Sequence, residues 1–276
     1  MRYLQTKIGL IVCMSGLCGF IYCGKNVYKL SELPPSEKYK IAYNYYEKGK
    51  YLKAKALFET ITRINIIENY ADSAQYFFGQ CYFHTREYVL AENEFQQLIK
   101  TRPGSMLIPK SKYMIGMCRL KMSQGSEHDQ DNTIIAIQAF ENFIFDPAAH
   151  FDERLYNDAE KNLVSLHNRL AEKDLKNGLL YKKMGDYNAA LKYLTDAVST
   201  HNQYGYVSCI PQALYEMGEC LAKLKQYPEA KERYLAVVQN FSDDVYAEKA
   251  AGQLAKLKKM TTAKKDTAAV IKKLQY

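Results

Sequence analysis

The residues best equipped for acid–base or metal chemistry are five histidines, His84, His128, His150, His167 and His201, and they are scattered through the 276 residues without a supporting motif. There is no His-Glu-x-x-His, no glycine-rich phosphate loop and no Gly-x-Ser-x-Gly turn. The chain therefore reads as non-enzymatic, with no cofactor and no metal site. Cysteine offers a different chemistry at one position. Arg2 and Lys7 precede an apolar run, Ile8 to Tyr22, and Cys23-Gly24-Lys25-Asn26 follows. Charge followed by hydrophobe is the layout of an export signal over residues 1–22. At about 1.5 Å per residue the run reaches about 22 Å, short of a hydrocarbon core of about 30 Å. Cys23 stands where an exported lipoprotein carries its acylated cysteine. Phe20-Ile21-Tyr22 replace the small residues usual before it, so simple cleavage and an uncleaved anchor stay open beside lipidation.

The remaining chemistry is that of aromatic surfaces. The chain has 24 tyrosines and no tryptophan, and Tyr39, Tyr43 and Tyr46 lie at helical spacing. Such a stripe can stack on a bound peptide and offer hydroxyls to it, or it can cover neighbouring helices. Both readings stay open. The elements that position it follow from a recurring pattern. Between Ala74 and Pro103, Gly79, Tyr82 and Tyr88 lie on one helix and its turn, and Ala91, Phe95 and Leu98 lie on the next. Two antiparallel helices approach closely where small residues meet, and the large residues fill the space around them. The pattern recurs at Gly116, Gly178 and Gly218, and with Ala42 in the glycine position. Five tetratricopeptide units result, over 36–67, 70–103, 109–147, 171–202 and 208–242. Each unit must stack on its neighbours to bury its apolar face, which predicts an all-α superhelix of about five helical hairpins. Phe95 is expected in the core of its hairpin.

Cys81, Cys118 and Cys220 each sit two residues after a repeat glycine, so they occupy one structural slot that wants a small apolar residue. Neighbouring copies of that slot are about 8–10 Å apart, too far for a disulfide, which needs Cα atoms within about 7 Å. Unit three carries a polar loop, residues 123–132, about eight residues longer than the turn of unit two, and Asn132 or Thr133 is expected to cap the helix after it. From Asp152 to about Met184 no breaker interrupts the helical spacing, which predicts one or two long bridging helices, and Tyr246 to Lys258 reads as a capping helix. The domain plan is a signal (1–22), a linker (23–35), repeats 1–3 (36–147), the bridge with repeats 4–5 and the cap (148–259), and a basic tail (260–276). The net charge of +8 is concentrated near that tail, in Lys256, Lys258, Lys259, Lys264, Lys265, Lys272 and Lys273. No basic stripe runs along the body, so nucleic acid is not an expected partner.

Cys23, the Pro34-Pro35-Ser36-Glu37-Lys38-Tyr39 entry, the three-plus-two array with its bridge, and the inserted loop together resemble the BamD family, tetratricopeptide lipoproteins of the bacterial outer-membrane β-barrel assembly machinery. Asp129-Gln130-Asp131-Asn132-Thr133, with Ala136-Ile137 and Phe140, is the most specific part, similar to BamD-like proteins of Bacteroidetes-type bacteria. The resemblance implies a lipid-anchored scaffold on the periplasmic face of the outer membrane. Its implied partners are a BamA-like barrel assembly protein and unfolded outer-membrane protein substrates. The N-terminal half is then expected to seat substrate on the groove formed by first helices, at Tyr39, Tyr43, Tyr46, Tyr76, Gln80, Phe83, Lys110 and Tyr113. The C-terminal half is expected to dock the assembly barrel through Lys182, Lys183, Tyr215 and Glu219. Other periplasmic tetratricopeptide adaptors and glycan-binding outer-membrane lipoproteins are the alternatives.

Overall fold

Within each hairpin a small residue on the first helix meets a bulky side chain on the second, sixteen positions later: Ala42 and Phe58, Gly79 and Phe95, Gly178 and Leu194, Gly218 and Tyr234. In unit three the interval from Gly116 to Phe140 is eight longer, matching the extra length of the loop over the turn of unit two. The approach is close. A Cβ added at Gly79 would lie 2.8 Å from the Phe95 ring, and one at Gly218 would lie 2.5 Å from Tyr234, so only glycine lets the helices come together there.

The computed structural model describes residues 32–63, 70–123, 125, 129–199 and 208–274, with side chains to Lys259 in the last helix. Cys23 and the apolar run before it lie outside the described residues. Among those described there are eleven α-helices and one 3-10 turn: α1 (Pro35–Glu47), α2 (Tyr51–Thr62), α3 (Ala71–His84), α4 (Tyr88–Thr101), α5 (Ile108–Met122), α6 (Asp131–Ile144), the 3-10 turn Pro147–Phe151, α7 (Glu153–Met184), α8 (Tyr187–Ser199), α9 (Ile210–Lys223), α10 (Tyr227–Asn240) and α11 (Val245–Leu274). The fold is the all-α tetratricopeptide architecture. The turns share one device, a left-handed residue seven positions after the small one: Gly49 (φ 67°), Arg86 (64°), Gly185 (85°) and Lys225 (65°). A Cβ in this region costs energy, so Arg86 and Lys225 are strained where Gly49 and Gly185 are not.

The chain divides into two compact units, Met1–Met114 and Ile115–Tyr276, ahead of the 147/148 boundary expected from sequence. In the first unit Ala42, Ala54, Phe58, Ile61, Ala74, Phe78 and Cys81 form a core on which Tyr39, Tyr43, Tyr46 and Phe77 pack. In the second, Leu175, Leu194, Leu214, Met217, Tyr234 and Val237 form the main core. The bridge is a single 32-residue helix, α7, capped at its start by Asp152, which accepts from the Leu155 backbone N–H. Cys81, Cys118 and Cys220 are fully buried. Burial pushes the Cys81 thiol up to about 12 and the Cys220 thiol up to about 11, the behaviour of packed rather than reactive cysteines.

Two local expectations need correction. Helix α6 begins at Asp131 with Gln130 at the N-cap and no capping side chain. Asn132 instead accepts a hydrogen bond from Arg119 at 3.3 Å, and Thr133 is fully buried. The last helix also does not end near Lys258. Gly252 follows Gly218 by 34 positions, one repeat length, yet α11 runs straight on to Leu274 where a second helix would turn back. A Cβ at Gly252 would meet nothing within 4 Å. No glycine or proline occurs after it to break the helix.

Candidate peptide groove and docking face

Helix α1 sets Tyr39, Tyr43 and Tyr46 one turn apart on one side, so their rings follow one another. Centroids are 6.2 Å apart between Tyr39 and Tyr43 and 6.4 Å between Tyr43 and Tyr46, both pairs stacked. Phe77 on α3 closes edge-on against Tyr43 at 5.0 Å and lies tilted against Tyr46 at 4.9 Å. Phe58 meets Tyr39 at 5.9 Å. The three tyrosines cover neighbouring helices, as one reading of the stripe expects, and they are half-buried. Each therefore keeps part of its surface accessible while packing on the core. Burial raises the phenol pKa of Tyr39, and burial above all raises that of Tyr46. Both stay protonated donors at neutral pH.

On α3, Gln80 donates to the Tyr76 hydroxyl at 2.8 Å, and Tyr76 packs on Phe95 at 5.6 Å. Phe83 lies edge-on to Tyr88 at 5.4 Å. Gln80 and Tyr113 are buried, each 8% exposed, while Tyr76 and Phe83 are half-buried and Lys110 is exposed. The accessible part of the set is thus Tyr39, Tyr43, Tyr46, Tyr76 and Phe83, with Lys110 beyond it.

The sequence reading missed His84. Its ring stacks on Tyr51 at 4.3 Å and 6°, and its Nε2 is 3.5 Å from the Tyr46 hydroxyl. Burial lowers its pKa, which favours the neutral ring at pH 7. The signal was its place one turn after Gln80, on the helix side that already carried Tyr76. On the other side of the same hairpin pair Lys55 bonds Glu87 and stands 4.6 Å from the Tyr82 ring centroid. That bond first, then one from Thr85, holds the Glu87 carboxyl below its ordinary value.

The four expected docking residues lie in the second unit, and three are engaged within it. Lys182 donates to Glu216. Burial alone would lower its pKa, but the hydrogen bond and charge of Glu216 outweigh burial and the net shift is upward. Glu219 accepts from the Tyr234 hydroxyl at 2.6 Å. Tyr215 sits between Tyr234 at 5.8 Å and Tyr246 at 5.4 Å. Lys183 is exposed, and beside it on the last turns of α7 Leu180 and Met184 are 54% and 69% exposed. Among the described residues no cluster could hold a metal ion, and no helix is long and apolar enough to cross a membrane.

Comparison with known proteins adds a family. Residues 31–226 match the family YfiO, described as outer membrane lipoprotein, and residues 212–244 match a tetratricopeptide repeat family. No curated protein matches. Similar solved structures include the TPR2AB domain of yeast Sti1 in a complex with Hsp90, at 14% identity, covering 87% of this chain and 88% of that one with a TM-score of 0.39. Another is a thermophilic tetratricopeptide protein of Thermus thermophilus, at 15% identity over 80% and 100% of the two chains, with a TM-score of 0.32.

Proposed function

The chain belongs to the YfiO, or BamD, family of outer membrane lipoproteins, and from that premise we propose that it is a non-enzymatic scaffold of the outer-membrane β-barrel assembly complex. It is held at the periplasmic face of the outer membrane by acylated Cys23. It seats unfolded outer-membrane protein segments on its N-terminal unit and docks a BamA-like assembly barrel through its C-terminal unit. The observation that carries the peptide seat is the ladder of half-buried rings, Tyr39, Tyr43 and Tyr46 with Phe77 behind them. Outer-membrane strands arrive unfolded and rich in aromatic residues, and rings already fixed by their neighbours can stack on such residues at little entropic cost. The ladder's hydroxyls would donate to the carbonyls of an extended peptide in exchange for present contacts such as that of Tyr46 with His84. For docking, Lys183 with Leu180 and Met184 offers an accessible charge beside apolar surface.

Copurification from membranes tests the assignment. The tagged chain should bring down an outer-membrane barrel assembly protein, and Cys23→Ser should shift the chain out of the membrane fraction or leave it unprocessed. Recovery of the chain alone from solubilised membranes would overturn the assembly role. Unchanged processing and fractionation of the serine variant would overturn the anchor.

A further inference from the structure

Helix α11 changes character along its length. At 100° per residue, Ala247, Ala250, Leu254 and Leu257, which belong to or pack against the core of the C-terminal unit, fall within an arc of about 80° around the helix. The helix then continues past Lys259 to Leu274. Over that stretch Met260, Ala263, Thr267, Val270, Ile271 and Leu274 occupy register positions within one arc of about 100°, which contains no charged residue. The two arcs are centred about 130° apart. The second is therefore no continuation of the side that packs on the body, and one turn earlier it is occupied by Lys256. Outside the arc the segment carries Lys264, Lys265, Lys272 and Lys273 against a single acid, Asp266.

We infer that residues 260–274 form a basic amphipathic helix that lies on an anionic phospholipid surface, its uncharged arc in the headgroup boundary and its lysines among the phosphates. The inference rests on the membrane setting of the family and not on the peptide-groove reading. Three observations favour lipid over a protein partner. The arc is built of aliphatic and small residues, without an aromatic anchor of the kind that dominates protein interfaces. The flanking charge is predominantly positive, four lysines against Asp266, which complements anionic headgroups. The segment begins three residues after Leu257, which packs on the body, and gives about 22 Å of helix to lie flat. The consequence is a second membrane contact at the opposite end of the chain from Cys23.

Amide hydrogen exchange of the full chain, added to phosphatidylcholine vesicles with or without phosphatidylglycerol, tests this. Amides of 260–274 should exchange about tenfold more slowly with the anionic vesicles, and high salt should shrink the difference. The double variant I271D/L274D should abolish it while the melting of the repeats is unchanged. Attachment through the N-terminus is common to both vesicle types, so it does not produce the contrast. Equal exchange with the two vesicles overturns the inference, as does slowing that persists in the double variant. Slowing that instead follows protein concentration without vesicles would overturn it too, since a second copy would then cover the arc. None of these outcomes depends on copurification with an assembly barrel.

Discussion

Along α1 the rings of Tyr39, Tyr43 and Tyr46 stack on one another, with Phe77 edge-on to Tyr43, whereas the corresponding first helix of the last hairpin, α9, carries Tyr215, Glu216 and Glu219, each engaged by another side chain of its own unit. The backbone device is the same in both places. The chemistry laid over it differs, and so does what remains for a partner. Stacked rings satisfy each other through apolar contact and stay half-buried. Paired charges consume their own hydrogen-bonding capacity, and breaking one to bind a partner leaves the other group desolvated. In the proposed division of labour the N-terminal unit would bind through rings that also belong to its packing, while the C-terminal unit would bind through peripheral groups such as Lys183, Leu180 and Met184.

The largest effect expected is on the shared packing device. Phe95→Ala should lose about 3–5 kcal/mol in chemical denaturation, because the ring is fully buried and fills the space over Gly79. Faster amide exchange should concentrate in the N-terminal unit. A loss below about 1 kcal/mol would mean that the ring is not what closes the hairpin.

A pair of glycine variants sharpens the comparison between a closed repeat and the open end. Gly218→Ala should cost about 1–3 kcal/mol, since its Cβ would press on a Tyr234 ring tethered to Glu219. Gly252→Ala, with open space around it, should instead stabilise by about 0.5–1 kcal/mol through helix propensity. Equal signs for the two would show that Gly252 is covered in solution.

The hairpins were legible in the sequence because a small residue, the bulky residue on the next helix and, in three of the units, a cysteine two positions after the glycine are all local. The uninterrupted α7 was legible from its lack of breakers. The turns were only half legible. Gly49 and Gly185 advertise a left-handed residue, but Arg86 and Lys225 occupy the same position with nothing in their type to announce it. The partner of Lys182 was hidden because Glu216 lies 34 residues away on another helix. Its pairing is a property of repeat stacking rather than of local spacing. The course of α11 beyond Lys258 was hidden too, because a lysine-rich stretch has both a flexible and a helical reading.

The strained turns give the next prediction. Lys225→Gly should stabilise by about 1 kcal/mol, because removing the Cβ relieves the left-handed penalty. No gain in the midpoint of denaturation would mean that the turn residue is not strained in solution.

The smallest effect concerns His84. Its folded pKa lies below its unfolded one, so the unfolded chain binds more protons as pH falls. Stability should therefore be intact above the unfolded value of about 6.5 and decline as pH drops through it toward the folded value. His84→Phe should flatten this part of the profile, and the effect should be slight because the residue is exposed. An unchanged profile in the variant would assign the pH dependence elsewhere.

Site-specific photo-crosslinking separates the two units without disturbing either core. A photoreactive phenylalanine at position 43, in the full chain in its membrane, should capture unfolded outer-membrane protein, and one at position 183 should capture the assembly barrel. Capture of the same partner at both positions, or of the two partners in reverse, would contradict the division of labour between the ring ladder and the docking face.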